Sequence, residues 1–159
     1  YTQVWWSIRP HFEFGTVEVR ICDAQPTAAE SEALAGLMVA CVLQAARDHD
    51  DGVPFRDPEP RLVEENMWRA IRHGREGRLI DLDRREEFPA AATAERLALW
   101  TEPVRAELGL DVTLPEPGPA HRQRALVREG ATLREAYEAT VAATRDTYAH
   151  QHPQEVPAP

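Results

Sequence analysis

The chain has 159 residues, within the range of about 100–200 that one domain occupies, and 43% of them are hydrophobic, enough for a packed core. Its 18 basic residues against 27 acidic ones leave a net charge of −9, which argues against duplex nucleic acid and against polybasic attachment to a membrane. Every basic residue is arginine, so phosphate-loop lysines, Schiff bases and lysine general bases are all excluded.

The chain opens in a strand-like segment with no initiator methionine and no basic, then apolar, leader, and it reads as a piece of a longer protein. The first 23 residues predict a β-hairpin. Gln3 to Arg9 is aromatic and β-branched, Pro10 to Gly15 supplies the turn, and Thr16 to Cys22 alternates with period two. Val17, Val19 and Ile21 then form an apolar face for the first helix to cover, with Thr16, Glu18, Arg20 and Cys22 opposite. Trp5 and Trp6 fall on alternate faces, one for the core and one for a site.

Everything after Asp23 predicts helix. A capping box, Thr27 to Glu30, starts a long helix whose apolar stripe is Leu34, Leu37, Met38, Cys41, Val42 and Ala45. Its apolar run, Leu34 to Leu43, is well short of the roughly 18 residues of a membrane span. Asp50-Asp51-Gly52 ends it, and Asp48, Asp50 and Asp51 read as a solvated helix end. A second helix from Arg61 to Gly74 buries Val63, Met67, Ala70 and Ile71, and Arg78 to Leu82 is a short extended piece. A third helix, Ala91 to Leu108, places Leu97, Trp100, Val104 and Leu108 on one face, with Pro103 as its weak point. After a proline-rich linker come a short helix from Ala120 to Glu129 and a last helix opened by a second capping box, Thr132 to Glu135. That helix buries Leu133, Ala136, Tyr137, Thr140, Val141 and Tyr148, and residues 150–159 form a polar, disordered tail.

Three clusters are able to carry chemistry. Pairing across the hairpin puts Ser7 and Arg9 on the same face as Glu18 and Arg20. A carboxylate there supplies a hard oxygen for a divalent metal, and the guanidinium forks match phosphate or carboxylate oxygens. A solvated face with an ordinary Arg9–Glu18 cross-strand pair accounts for the same residues. On the second helix Asn66, Arg69 and His73 share one face and are suited to a nucleotide or a substrate carboxylate, or else to a Glu65–Arg69 pair in solvent. Arg122-Gln123-Arg124 opens the short helix and is equally two-sided. Cys22 and Cys41 form no metal-binding spacing and read as buried thiols of a reducing, cytoplasmic compartment.

The order of residues is also familiar. Trp6-Ser7-Ile8-Arg9-Pro10-His11, followed by Phe14-Gly15-Thr16-Val17-Glu18-Val19-Arg20-Ile21-Cys22-Asp23, resembles the signature of the glutamate–cysteine ligase family 2, the bacterial carboxylate–amine ligases. Glu65-Asn66-Met67-Trp68-Arg69-Ala70-Ile71-Arg72-His73-Gly74, Leu79-Ile80-Asp81 and Arg122-Gln123-Arg124 extend the likeness to about Arg145.

The resemblance covers the carboxyl-terminal part of longer proteins. It implies an α+β fold of the glutamine-synthetase-like, glutamate–cysteine ligase type, with this chain giving a β-hairpin of its antiparallel sheet and about five helices. Residues 1–149 would be an incomplete part of the catalytic domain. The implied reaction joins the γ-carboxylate of glutamate to the amine of cysteine, or of another amine, with ATP and magnesium and through an acyl phosphate. By the same resemblance Glu18 matches the magnesium ligand and Arg20 the arginine that steadies the transferring phosphate. Arg9 joins them in the reaction, and Asn66, Arg69 and Arg124 join in binding the nucleotide. One departure from the family pattern is Ser7, where the resemblance implies that relatives usually carry Asp. The remaining ligands would come from a missing amino-terminal half, and a homodimer is left open. The rival reading is a non-catalytic helical interaction module, or a ligase of the same family acting on a different acid or amine.

Overall fold

A computed structural model describes residues 7–55, 57–110, 112–113 and 116–149. The chain is α+β, with six α-helices and two small antiparallel sheets among the described residues. It divides into two compact units, one from Tyr1–Met38 with Val112–Pro159 and the other from Val39–Asp111. The expected strand at Gln3–Trp6, both tryptophans there and the tail after Ala149 lie outside the described residues.

The first unit begins with strands β1 (Ile8–His11) and β2 (Thr16–Val19), paired antiparallel with Arg9 opposite Glu18 and His11 opposite Thr16. The turn is therefore tighter than the sequence suggests, because Pro10 and His11 belong to the strand. A two-stranded sheet has only edge strands, where the missing N–H of proline costs no ladder bond. The apolar face is not covered as expected: Ile8, Val17 and Ile21 are 54%, 47% and 51% exposed. Cys22 is exposed rather than buried, its thiol 3.7 Å from the Met38 sulfur.

Helix α1 (Ala28–Asp50) starts with the capping box that the sequence announces. Glu30 N–H donates to Thr27 Oγ1 at 3.3 Å, and Thr27 N–H donates to Glu30 Oε2 at 3.2 Å. Its buried stripe is Ala33, Leu37, Ala40 and Gln44; Leu37 is buried as expected, while the other three lie one position before expected members, which leaves Val42 exposed and Cys41 half-buried. Alanines on the buried side let neighbouring backbone approach closely, so the larger residues turn outward. By length and composition α1 also meets the requirements of a membrane span, although 39% of its most apolar window is buried within the protein. Helices α5 (Pro119–Arg128) and α6 (Leu133–Ala149) complete this unit. The second capping box forms too, with Glu135 N–H on Thr132 Oγ1 and Thr132 N–H on Glu135 Oε2. Of the expected α6 face only Ala136 is buried; Leu133 and Tyr137 are 80% and 69% exposed.

The second unit holds the rest of α1, then α2 (Pro60–His73), a single 3₁₀ turn, β3 (Arg78–Ile80), β4 (Glu87–Pro89), α3 (Ala92–Trp100) and α4 (Glu102–Leu108). Strand β4 is not foreseen by the sequence; it pairs with β3, Leu79 opposite Phe88. Helix α2 turns its Asn66–Arg69 side to this hairpin, so Val63 and Ile71 are exposed, not buried. The third predicted helix is split at Thr101, since Pro103 has no N–H to continue the ladder. The Arg105 guanidinium donates to Ala98 O at 2.7 Å beside the break, and Gly109, at φ 63°, caps α4. Thr101 and Val104 are fully buried. Asp48 is not merely solvated: it accepts from Trp100 Nε1 at 2.8 Å and from Gln44 Nε2 at 2.8 Å.

Candidate functional site

The antiparallel register builds the charged face of the first hairpin. Opposed residues share a face, so Arg9 and Glu18 lie side by side, and the ladder continues with Arg20 N–H donating to Ser7 O at 2.7 Å. Glu18 Oε2 lies 2.5 Å from Arg9 Nη2, and Glu18 Oε1 lies 3.9 Å from Arg20 Nε. One carboxylate is thus spanned by two guanidinium groups. Arg9 is the more sheltered, its side chain 18% exposed against 30% for Arg20. This places Arg9, Glu18 and Arg20 together, as the pairing argument expects, with Ser7 beside Arg20 across the ladder.

The same face holds a residue that the sequence argument passes over. His11 follows Arg9 by two positions on β1, so its side chain emerges on the charged side. Its ring stacks on Phe14, centroids 4.6 Å apart and planes 25° from parallel, and Nδ1 is enclosed with no hydrogen-bond partner among the described residues. The strand period would have revealed it had the turn been drawn at Phe12 instead of Pro10.

Asn66 and Arg69 sit in the second unit with partners of their own. The Asn66 amide binds both polar groups of Ile80, donating to its carbonyl at 2.8 Å and accepting from its N–H at 2.7 Å. It takes the place of an adjacent strand for β3. Arg69 donates to Glu65 at 2.7 Å and to Glu87 at 2.6 Å, and Arg78 Nε reaches the other Glu87 oxygen at 3.2 Å. Arg69 and then Arg78 hold the Glu87 carboxyl below its usual range. Glu87 was not foreseen because β4 was not. Asp81 caps the turn after β3, accepting from Arg84 N–H at 3.0 Å and from Arg96 at 3.0 Å.

In the first unit Arg122 donates to the buried Glu30 at 2.6 Å and to Pro117 O at 2.6 Å, and Gln123 contacts Thr140 at 3.3 Å. Arg124 lines a shallow cavity of about 480 Å³ with Gln123, Val127, Arg128, Leu133 and Tyr137. Partial desolvation of the Cys22 sulfur within an otherwise exposed residue, and then the Asp23 charge, pushes its thiol up; burial does the same to Cys41, so neither is an activated nucleophile.

No group of three or more His, Cys, Asp or Glu side chains among the described residues is arranged around a metal ion. Magnesium requires near-octahedral oxygen coordination, and the hairpin face offers one carboxylate already facing Arg9. The described residues alone therefore do not make a magnesium site; Glu18 is at most one of its ligands.

Comparison with known proteins gives a consistent result. The model of glutamate-cysteine ligase family 2 matches residues 1–150. A protein of Gloeobacter violaceus, named "Putative glutamate--cysteine ligase 2", is 36% identical over 138 residues, covering 82% of this chain and 37% of that protein. A Rubrobacter xylanophilus relative, numbered 2-3 under the same name, is 41% identical over 140 residues (82% and 36%). A Thermobifida fusca relative is 36% identical over 146 residues (87% and 37%). The chain spans little more than a third of the length of these relatives.

Proposed function

The chain belongs to glutamate–cysteine ligase family 2, and from that premise we propose that it is part of an ATP-dependent carboxylate–amine ligase, with glutamate as the acid and cysteine as the amine. The observation that carries the reading is Glu18 held between Arg9 and Arg20 on one rigid hairpin face. In such a reaction the γ-carboxylate oxygen attacks the terminal phosphorus of ATP, ADP leaves, and the amine then displaces phosphate from the acyl phosphate. Negative charge builds on the phosphoryl oxygens in the first step and on the leaving phosphate in the second. Fixed guanidinium groups stabilise that charge without reorganising, the contribution that dominates phosphoryl transfer. Arg20 is assigned to the transferring phosphate and Arg9 to holding the Glu18 carboxylate in place.

The magnesium that this chemistry uses would take Glu18 as one oxygen ligand, with the others supplied by the region corresponding to the amino-terminal part of the relatives. The reading includes the glutamine-synthetase-like fold and a cytoplasmic location, the latter supported by two cysteines that form no disulfide. Arg124, exposed on α5, remains assigned to the nucleotide. For Asn66 and Arg69 a structural reading is favoured by their bonds to Ile80, Glu65 and Glu87, and their effect on nucleotide binding would run through the β3–β4 hairpin. The test is ADP release by the protein that carries this chain, given magnesium, ATP, glutamate and a panel of amines. Amine-dependent release with cysteine is expected; no amine-dependent release across the panel overturns the reading. Selective response to another amine would replace cysteine as the substrate.

A further inference from the structure

The charged hairpin face is rich in donors and poor in acceptors. Arg9 and Arg20 present only N–H groups, and the one carboxylate, Glu18, faces Arg9 at 2.5 Å. A ligase of this kind needs one more function: when the amine attacks, its nitrogen must lose a proton. Besides Glu18, whose Oε2 lies against Arg9, His11 brings an uncharged nitrogen acceptor to that face. Its ring is held by stacking on Phe14, and Nδ1 is enclosed and unpartnered among the described residues. A buried imidazole nitrogen left without a partner is destabilising, so its persistence at a site calls for an explanation.

We propose that His11 is the proton acceptor for the attacking amine, a role that rests on the ligase reading above. The amine nitrogen forms its bond to the acyl carbon, the bond from that carbon to the phosphate oxygen breaks with the electron pair leaving on phosphate, and the amine proton passes to the His11 imidazole. An imidazole is suited to this because a ring nitrogen with a free lone pair takes up a proton directly. Phe14 fixes the ring plane, so the acceptor is oriented before the amine arrives.

The experiment compares wild type, His11→Gln and His11→Asn in the protein that carries this chain, with magnesium, ATP and glutamate and either cysteine or hydroxylamine as nucleophile. Hydroxylamine is unprotonated at neutral pH and traps the acyl phosphate as a hydroxamate, so it reads phosphoryl transfer and correct folding together. Both variants are expected to lose about 100-fold or more in amide formation with cysteine, the usual worth of a general base, while hydroxamate formation stays near wild type. A parallel fall of both products assigns His11 to structure or to the metal and overturns the proposal. Unchanged amide formation also overturns it. Retained activity in His11→Asn alone shows a hydrogen-bonding role and overturns the proton transfer. If wild type forms neither product, the ligase reading fails and this inference falls with it.

Discussion

The Glu30–Arg122 pair gives the sharpest stability prediction. Glu30 is 3% exposed and sits at the start of α1, where it closes the capping box with Thr27 while its other oxygen takes Arg122 of α5 at 2.6 Å. Arg122→Ala leaves the carboxylate buried with only Thr27 as donor. A charge-assisted hydrogen bond contributes about 1.5–3 kcal/mol. The Arg122 side chain is 37% exposed, so solvent screening puts the expected loss at the lower end, about 1.5 kcal/mol. Glu30→Ala removes the cap as well and is expected to cost about 1 kcal/mol more. The effect has a pH signature. Burial opposes ionisation of Glu30, but the Arg122 and Thr27 hydrogen bonds outweigh it, and its carboxyl lies below the usual range. A depressed carboxyl stabilises the fold above its unfolded value, about 4.3, and that stabilisation is lost as pH falls through the lower folded value. Urea unfolding followed by circular dichroism at neutral pH and at successively lower pH measures the gap between wild type and Arg122→Ala. A gap that is absent at neutral pH, or one that widens on acidification, refutes the reasoning.

Asn66→Ala strips both polar groups of Ile80 of their partner and is expected to cost about 2 kcal/mol, with the Ile80 amide exchanging faster with solvent by hydrogen-exchange spectroscopy. Asn66→Asp, which keeps the acceptor and loses the donor, falls between wild type and alanine. Arg69→Ala returns the Glu87 carboxyl toward its ordinary range, visible as an upward shift in its titration by nuclear magnetic resonance. Leu133→Ser changes stability by less than about 0.5 kcal/mol in the chain itself, because that side chain is 80% exposed; a larger loss in thermal unfolding contradicts its placement. Isothermal titration of the isolated chain with Mg·ATP shows weak binding, since a single carboxylate does not complete a magnesium site; tight binding contradicts that account.

What the sequence reveals and what it hides divides along the range of the interactions. Both capping boxes, the hairpin pairing of Arg9 with Glu18 and the break near Pro103 depend on residues a few positions apart or on backbone chemistry, and each is legible. The buried stripe of α1 is not, because hydrophobicity ranks Leu34 and Val42 above Ala33 and Ala40, whereas close packing selects the smaller pair. Strand β4 is three residues long, ends in proline and carries a glutamate, so it has no period to read. Its absence from the sequence argument hid the role of Glu87 and made Arg69 look available for a ligand. The apolar residues Leu133 and Tyr137 have helical spacing that announces a core, yet both are exposed on α6. At the candidate site the charged trio follows from the register alone, while His11 disappears into a turn drawn two residues too early.

The central claim is that the Glu18 face belongs to a ligase site, and product formation by a Glu18→Ala variant tests it most directly. In the protein that carries this chain, wild type given ATP, magnesium, glutamate and cysteine is expected to form γ-glutamylcysteine with one ADP per product, measured by mass spectrometry and coupled ADP detection. Glu18→Ala is expected to lose nearly all of that turnover, while far-ultraviolet circular dichroism remains unchanged because the side chain is 42% exposed and carries little of the fold. Turnover near the wild-type rate in a folded Glu18→Ala protein would contradict the account.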